Sequence, residues 1–91
     1  MGAVAKAIER KLSDAFSPIR LDVVDDSERH AGHAGARRGG ESHFTVTLES
    51  AAFAGLSRLA RQRRIHAALA EELAGPVHAL SVKALAPGEK T

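Results

Sequence analysis

Histidines concentrate in one polar, glycine-rich stretch, and this is the part of the chain whose residue types could do chemistry. Three of the five histidines lie between positions 25 and 44, at His30, His33 and His43, close to Asp25 and Asp26. Imidazole suits zinc and nickel, so the His-x-x-His pair at 30 and 33 could bind either metal. A histidine beside a turn is more often solvated or hydrogen-bonded than metal-bound. Spacing alone therefore leaves both a metal site and a polar connection as interpretations.

Arginines form a second candidate site in the other half of the chain. They are Arg58, Arg61, Arg63 and Arg64, and they follow Ser57, a good N-cap for a helix. A helix N-terminus offers free N–H groups and a favourable dipole to an anion such as a DNA phosphate. Against this, Glu71 and Glu72 dilute the positive charge, and the chain has no tyrosine or tryptophan to stack on bases. Partner docking, DNA contact and an ordinary solvated helix face all fit the cluster.

Hydrophobic periodicity predicts the elements that position these residues. Apolar residues four apart, at Val4, Ile8, Leu12 and Phe16 with Ala15 beside them, predict a helix of about three turns. Two alternating stretches then predict half-buried strands, one with Ile19, Leu21 and Val23 facing inward and one with Phe44, Val46 and Leu48 facing inward. The histidine-rich stretch joins these two strands, and His43 has the parity of the face opposite the core.

The second half of the chain predicts two helices and a third strand. A short helix after Ser50 precedes a long one. The apolar stripe of the long helix passes through Leu59, Gln62, His66, Leu69 and Leu73, with Ile65 adjacent and His66 half-buried. Gly75 and Pro76 end the long helix, and HALSVKAL returns to alternation. The order α-β-β-α-α-β predicts an α+β fold in which helices cover one face of a three-stranded sheet.

Length and composition limit the class of protein. The 91 residues are 44% apolar, which suits one domain over 1–91 with a flexible tail from about 87. No charged, apolar leader follows Met1 and no apolar run approaches the roughly 18 residues that span a bilayer, so we expect a soluble, cytoplasmic protein with no membrane partner. The absence of cysteine excludes disulfides, thiol nucleophiles and thiolate metal sites held by this chain alone. No P-loop, HExxH or nucleophile elbow is present, so we do not expect an enzyme.

Four segments together resemble the BolA family, over about positions 8 to 87. They are DDSERHAGH, GESHF, FAGLSRLARQRRIHAALAEEL and VHALSVKA. The resemblance implies a small fold like the second class of KH domains, although the FAGLSR turn has one glycine where the KH phosphate grip has Gly-x-x-Gly. It also implies a monothiol glutaredoxin partner, with a [2Fe-2S] cluster held between the two proteins. Some bacterial members are described as DNA-binding transcriptional regulators with roles in cell shape and stress.

The resemblance also implies which residues act. A [2Fe-2S] cluster needs four ligands, and imidazoles can replace two of the usual thiolates. A cysteine-free chain could supply two imidazoles while a partner cysteine and glutathione supply the rest. His78, in VHALS, matches one family ligand, and His30 best matches the loop ligand, with His33 in reserve. The leading prediction is an adaptor in iron–sulfur trafficking or iron sensing, a monomer or weak dimer when alone. The alternative is a transcriptional regulator that contacts DNA through the arginine-rich helix.

Overall fold

The computed structural model describes residues 2–26 and 42–89. Residues 1, 27–41, 90 and 91 lie outside the described residues, and with them His30 and His33. The fold below is therefore that of the two described ranges.

The first helix, α1, runs over Ala3–Phe16 and forms one layer of the core. Its buried residues are Ala5, Ile8, Leu12 and Phe16, so the predicted four-residue spacing is confirmed. The helix is 14 residues long, about one turn more than predicted, and Ala15 is exposed rather than buried. Ser17 ends the helix in the left-handed conformation, with φ of 44°. Pro18, which cannot donate the next helical hydrogen bond, follows it.

Three strands form one mixed sheet in the order β1-β2-β3. They are β1 at Arg20–Asp25, β2 at His43–Glu49 and β3 at Ala79–Leu85. Strands β1 and β2 are antiparallel, whereas β2 and β3 are parallel, with Val46 opposite both Val23 and Val82. Parallel neighbours need a crossover, which the helices between β2 and β3 supply.

The central strand confirms its predicted alternation, and β1 does so with one exception. In β2, Phe44, Val46 and Leu48 are buried. In β1, Leu21 and Val23 pack against the core, but the prediction that Ile19 faces inward is wrong, because its side chain is 70% exposed. Ile19 precedes the strand and still belongs to the turn out of α1, although its backbone N–H donates to the Glu49 carbonyl oxygen at 2.9 Å.

The helical region after β2 is shorter and more broken than predicted. The predicted short helix is a single 3₁₀ turn at Ala51–Phe53. The long helix is divided at Leu69 into α2 at Arg58–Ala68 and α3 at Ala70–Ala74. Gly55, with φ of 78°, allows the turn into α2, and Ser57 caps that helix as predicted, since its Oγ accepts a hydrogen bond from the Ala60 N–H at 3.1 Å.

The predicted stripe of the long helix is confirmed at Leu69 and Leu73, which pack in or against the core, but it is wrong at Leu59 and His66. Leu59 is 56% exposed and His66 is also exposed, while Ile65 and Leu69 are fully buried. The core position goes to the isoleucine because burying an imidazole without a hydrogen-bond partner would cost free energy. His66 is therefore a surface residue and not a half-buried space filler.

The helices pack on one face of the sheet, which confirms the α+β class. The core joins α1 to the inward face of β2 and to Ile65 and Leu69, and the rings of Phe16 and Phe53 lie 5.0 Å apart within it. Lys11 Nζ lies 2.7 Å from Glu72 Oε2 and links α1 to α3. That hydrogen-bonded pair raises the pKa of Lys11. In the described ranges, no helix has the length and apolar content that crossing a bilayer requires.

Two leucines test this placement of the core, because Leu12 is fully buried and Leu59 is 56% exposed. We expect Leu12→Ala to lower the free energy of unfolding by about 2–5 kcal/mol, since it removes buried methyl groups and leaves a cavity. The matched control Leu59→Ala should change the free energy of unfolding by less than about 0.5 kcal/mol. Urea denaturation followed by circular dichroism measures both values, and equal losses would contradict the assigned burial.

Candidate functional site

His78 lies at the end of the sheet where β2 and β3 begin. Its backbone N–H donates to the Ser42 carbonyl oxygen at 2.7 Å, and the N–H of Ala79 donates to the same oxygen at 3.2 Å. The residue itself is exposed. The sheet therefore fixes the backbone of His78 while its imidazole remains accessible to a partner.

His43 is the neighbour of this position on β2. It stands opposite Ala79 in the parallel register, so one strand spacing, about 5 Å, separates its backbone from that of the residue after His78. Its Nδ1 lies 2.9 Å from Ser42 Oγ, and the side chain is half-buried. The alternation in β2 predicts His43 on the open sheet face, which the structure confirms, but that pattern carries no information about its distance from His78. That proximity depends on a strand pairing 36 positions apart in the register.

The histidine-rich stretch is attached at the same end of the sheet. Strand β1 ends at Asp25, and the following residue, Asp26, accepts a hydrogen bond from the Thr45 hydroxyl. Strand β2 begins at His43. Since β1 and β2 are antiparallel and β2 and β3 are parallel, the two attachment points and His78 share one end of the sheet. The predicted ligands His30 and His33 lie outside the described residues.

The described residues do not form a complete metal site. Over residues 2–26 and 42–89, no group of three or more histidine, aspartate or glutamate side chains is arranged to hold a metal ion. Cysteine is absent from the whole sequence. A metal or cluster bound at His78 would thus need ligands from residues 27–41 or from another molecule.

Arg61 differs from the other arginines of the predicted cluster because it is engaged within the fold. Its Nε donates to the Leu56 carbonyl oxygen at 3.0 Å, and its Nη1 donates to the Ala84 carbonyl oxygen at 3.1 Å. Both terminal nitrogens also bind the carboxylate of Glu89, at 2.5 and 2.9 Å. The Arg61 side chain is only 11% exposed. The guanidinium group therefore joins α2, β3 and the C-terminal segment.

Glu89 is a functional candidate that the sequence analysis missed. Its carboxylate accepts a hydrogen bond from the Ala86 backbone N–H at 2.8 Å in addition to the two from Arg61. These contacts, chiefly the hydrogen bonds from Arg61, lower its pKa to about 2. Glu89 lies within the predicted flexible tail, whose last two positions, 90 and 91, are outside the described residues. No local sequence pattern pairs two residues 28 positions apart.

The remaining three arginines, Arg58, Arg63 and Arg64, are exposed on α2. Within the described part of the chain, none of them forms an ion pair with a carboxylate. They therefore present positive charge to solvent near the capped start of α2, as an anion-binding surface requires.

Comparison with known proteins decides the family. The family model described as BolA-like protein matches residues 12–89. The chain belongs to the BolA family. The resemblance inferred from the sequence is thereby confirmed.

Relatives and solved structures agree with this assignment. This BolA-family chain is 47% identical over 89 residues to BolA-like protein 1 of Homo sapiens, covering 98% of this chain and 62% of the human protein. It is 48% identical over 79 residues to the DNA-binding transcriptional regulator BolA of Escherichia coli (strain K12), covering 87% of this chain and 71% of that protein. The solved BolA domain of SufE1 from Arabidopsis thaliana superimposes with a TM-score of 0.86 at 39% identity, over 99% of each chain. The fold class is confirmed by this structural match.

The Arg61–Glu89 pair makes a prediction about titration. We expect the Glu89 carboxyl group to titrate in the folded protein with a pKa of about 2, below its ordinary 4.5. Arg61→Ala should return the midpoint towards the ordinary value, because the arginine provides the main stabilisation of the carboxylate. Carbon NMR of the side-chain carboxyl group against pH measures both midpoints, and identical midpoints would contradict the assigned pair.

The same pair makes stability depend on pH. Because the folded-state pKa of Glu89 is lowered, its stabilisation is fully present above about pH 4.5 and is lost as the pH falls towards 2. The difference in unfolding midpoint between wild type and Glu89→Gln should therefore be largest at neutral pH and shrink through that acidic window. Urea denaturation at several pH values measures it, and a difference that does not vary with pH would count against the ion pair.

Proposed function

We propose that this protein is an adaptor that binds a monothiol glutaredoxin and shares a [2Fe-2S] cluster with it. The observation that carries the proposal is the exposed imidazole of His78, on a backbone fixed by Ser42, at the sheet end where the histidine-rich stretch is attached. Membership of the BolA family supports the same role. A solved neighbour is the BolA domain of a protein named SufE1, a name that favours an iron–sulfur function.

The donor set of the chain fits a shared cluster rather than one held alone. Two imidazoles can replace two thiolates on one iron, and this chain offers imidazoles but no thiolate. The partner would supply a cysteine, and glutathione would supply a second thiolate. The shared cluster would be the cargo or the iron signal, while His78 and a second histidine hold it on this side. This division explains how a chain without cysteine can serve in iron–sulfur chemistry.

The chain length allows a second histidine to reach His78. Two strand spacings, about 10 Å, separate β1 from β3. His30 follows Asp26 by four residues, which span at most about 14 Å when extended. His33 precedes Ser42 by nine residues, which span a longer distance when extended than the four residues between Asp26 and His30. We propose His30 as the second ligand, as the family resemblance implies, with His33 in reserve.

Reconstitution tests the ligand assignment. We expect this protein, mixed with a monothiol glutaredoxin, iron, sulfide and glutathione, to give a mixed complex with visible absorption and circular dichroism bands. His78→Ala should change or abolish these bands, because it removes a nitrogen ligand. The matched control His66→Ala, an exposed histidine on α2, should leave them unchanged.

The loop ligand follows from the same assay. His30→Ala and His33→Ala, made separately, identify the second ligand by which of them alters the bands. If His78→Ala, His30→Ala and His33→Ala all give the wild-type spectrum, the proposed ligands are wrong. If no mixed complex forms with any monothiol glutaredoxin tried, the adaptor role itself is wrong.

We further propose that the protein acts in the cytoplasm without catalysing a reaction, as a monomer or weak dimer when alone. The names of the relatives, BolA-like proteins and a regulator, support a regulatory or adaptor role. A protein that holds the cluster without catalysing a reaction fits both cluster trafficking and iron sensing.

A second proposal, DNA binding, is favoured by the exposed arginines of α2. Arg58, Arg63 and Arg64 lie on one short helix whose N-terminus is capped by Ser57. A relative carries the name DNA-binding transcriptional regulator BolA. Arg61 belongs to the same predicted cluster, but its guanidinium group binds the Glu89 carboxylate within the fold. It is therefore not counted among the proposed DNA contacts.

Salt dependence tests the DNA proposal. We expect replacing Arg58, Arg63 and Arg64 by alanine to reduce the slope of log affinity against log salt by about 0.9 for each phosphate that is no longer neutralised. Arg10→Ala, on the exposed side of α1, is the control and should leave the slope unchanged. Fluorescence anisotropy on a specific and a random duplex measures the slopes. Equal affinity for both duplexes would exclude a sequence-reading regulator and leave only a basic surface.

A further inference from the structure

The outer edge of β3 has backbone groups that the sheet does not pair. Among the strands of residues 2–26 and 42–89, β3 is last in the sheet order, so within those ranges only its β2 side is covered by a strand. The Ala79 N–H donates to Ser42, and the Leu85 carbonyl oxygen accepts from Ser50 at 2.9 Å, so the odd-numbered residues of β3 face β2. The backbone groups of successive strand residues point to alternate sides. Those of Leu80, Val82 and Ala84 therefore point outward.

A groove runs between this edge and the start of α2. Its volume is about 860 Å³. The apolar part of its lining comes from Leu56, Val82 and Leu85, and its charged part includes Arg58 and Lys83. An open strand edge beside a groove that offers both apolar and charged side chains suits the binding of an extended peptide as an additional strand.

The chain itself already binds a carboxylate at one end of this edge. The Ala84 carbonyl oxygen accepts a hydrogen bond from Arg61, and the Ala86 N–H donates to Glu89. The Glu89 carboxylate is held at once by an outward backbone N–H and by the guanidinium group of Arg61. A backbone amide at the strand edge and a neighbouring cation therefore combine here to hold an acidic group.

The remaining cations of the groove are exposed and set the charge of an occupant. Arg58 and Lys83 form no ion pair with a described carboxylate, whereas the charge of Arg61 is balanced by Glu89. A lysine on an edge strand also opposes pairing with a second copy, because like charges would meet. No aromatic side chain lines the described groove to stack on bases. Charge and chemistry together favour an acidic polypeptide.

We propose that the outer edge of β3 binds an extended acidic segment of a partner protein by strand addition. The Leu80, Val82 and Ala84 amides donate to the carbonyl oxygens of the added strand. Alternate apolar side chains of that strand lie on the core side of the sheet, towards Leu56 and Val82. Its acidic side chains lie on the opposite face, on which Lys83 is exposed. This edge begins at Leu80, two residues after His78, and its binding of a peptide needs no metal cluster.

An end-blocked peptide, Val-Glu-Val-Glu-Val-Glu-Val, tests the proposal on the full-length, nitrogen-labelled protein at low salt. We expect NMR shift changes at Leu80, Val82 and Ala84, and slower hydrogen exchange of the Leu80 and Val82 amides, because they gain acceptors. The matched peptide with lysine in place of glutamate should not bind. Lys83→Glu should weaken binding about fivefold through charge repulsion, whereas Arg10→Glu should not.

Four outcomes would overturn the proposal. One is the absence of peptide binding up to about 1 mM, and a second is equal binding of the acidic and basic peptides. A third is slower exchange of the same amides at rising protein concentration without peptide, which would assign the edge to a second copy of the chain. The fourth is a single-stranded oligothymidylate that shifts the groove residues when the acidic peptide does not, which would assign it to nucleic acid. Thermal melts of Lys83→Glu establish that the variant is folded.

Discussion

Strand β2 is the element on which the rest of the molecule depends, because it is paired on both sides and buried on one face. Phe44, Val46 and Leu48 supply that buried face, and they share one core cluster with buried residues of α1 and α2. The antiparallel pairing with β1 and the parallel pairing with β3 bring three strand ends to one end of the sheet. They are the end of β1, the start of β2 and the start of β3. The position of His78 near the two points where the histidine-rich stretch is attached follows from this topology.

A second constraint acts at the opposite end of β3. Arg61 supplies hydrogen bonds to Leu56, Ala84 and Glu89, and so joins the turn before α2, the end of β3 and the C-terminal segment. A single guanidinium group serves three backbone and side-chain acceptors because its donors are spread in a planar fork. The arginine that a sequence pattern would assign to an external ligand is thereby used within the fold, and its three exposed neighbours on α2 carry the surface charge.

The sequence predicts best where side-chain periodicity is strong. The alternation in β2 and the four-residue spacing in α1 were sufficient, because a strand or helix with one apolar face has one way to bury it. The prediction for the long helix was right at Leu69 and Leu73 and wrong at Leu59 and His66. Arginines and alanines leave α2 with a weak apolar stripe, so periodicity alone does not decide which side of the helix is buried. The Arg61–Glu89 pair and the proximity of His43 to His78 depend on contacts between distant parts of the chain. Local patterns do not encode such contacts, although the family resemblance indicated His78 directly.

The length of β3 separates two parts of the molecular surface. Its seven residues span about 20 Å, from the residue after His78 to the region bound by Arg61. That distance is less than the roughly 30 Å diameter of a small domain, so a globular partner bound at one end would extend over part of the other. Two globular partners at the two ends would therefore affect each other by direct steric contact, without any change in the strand itself.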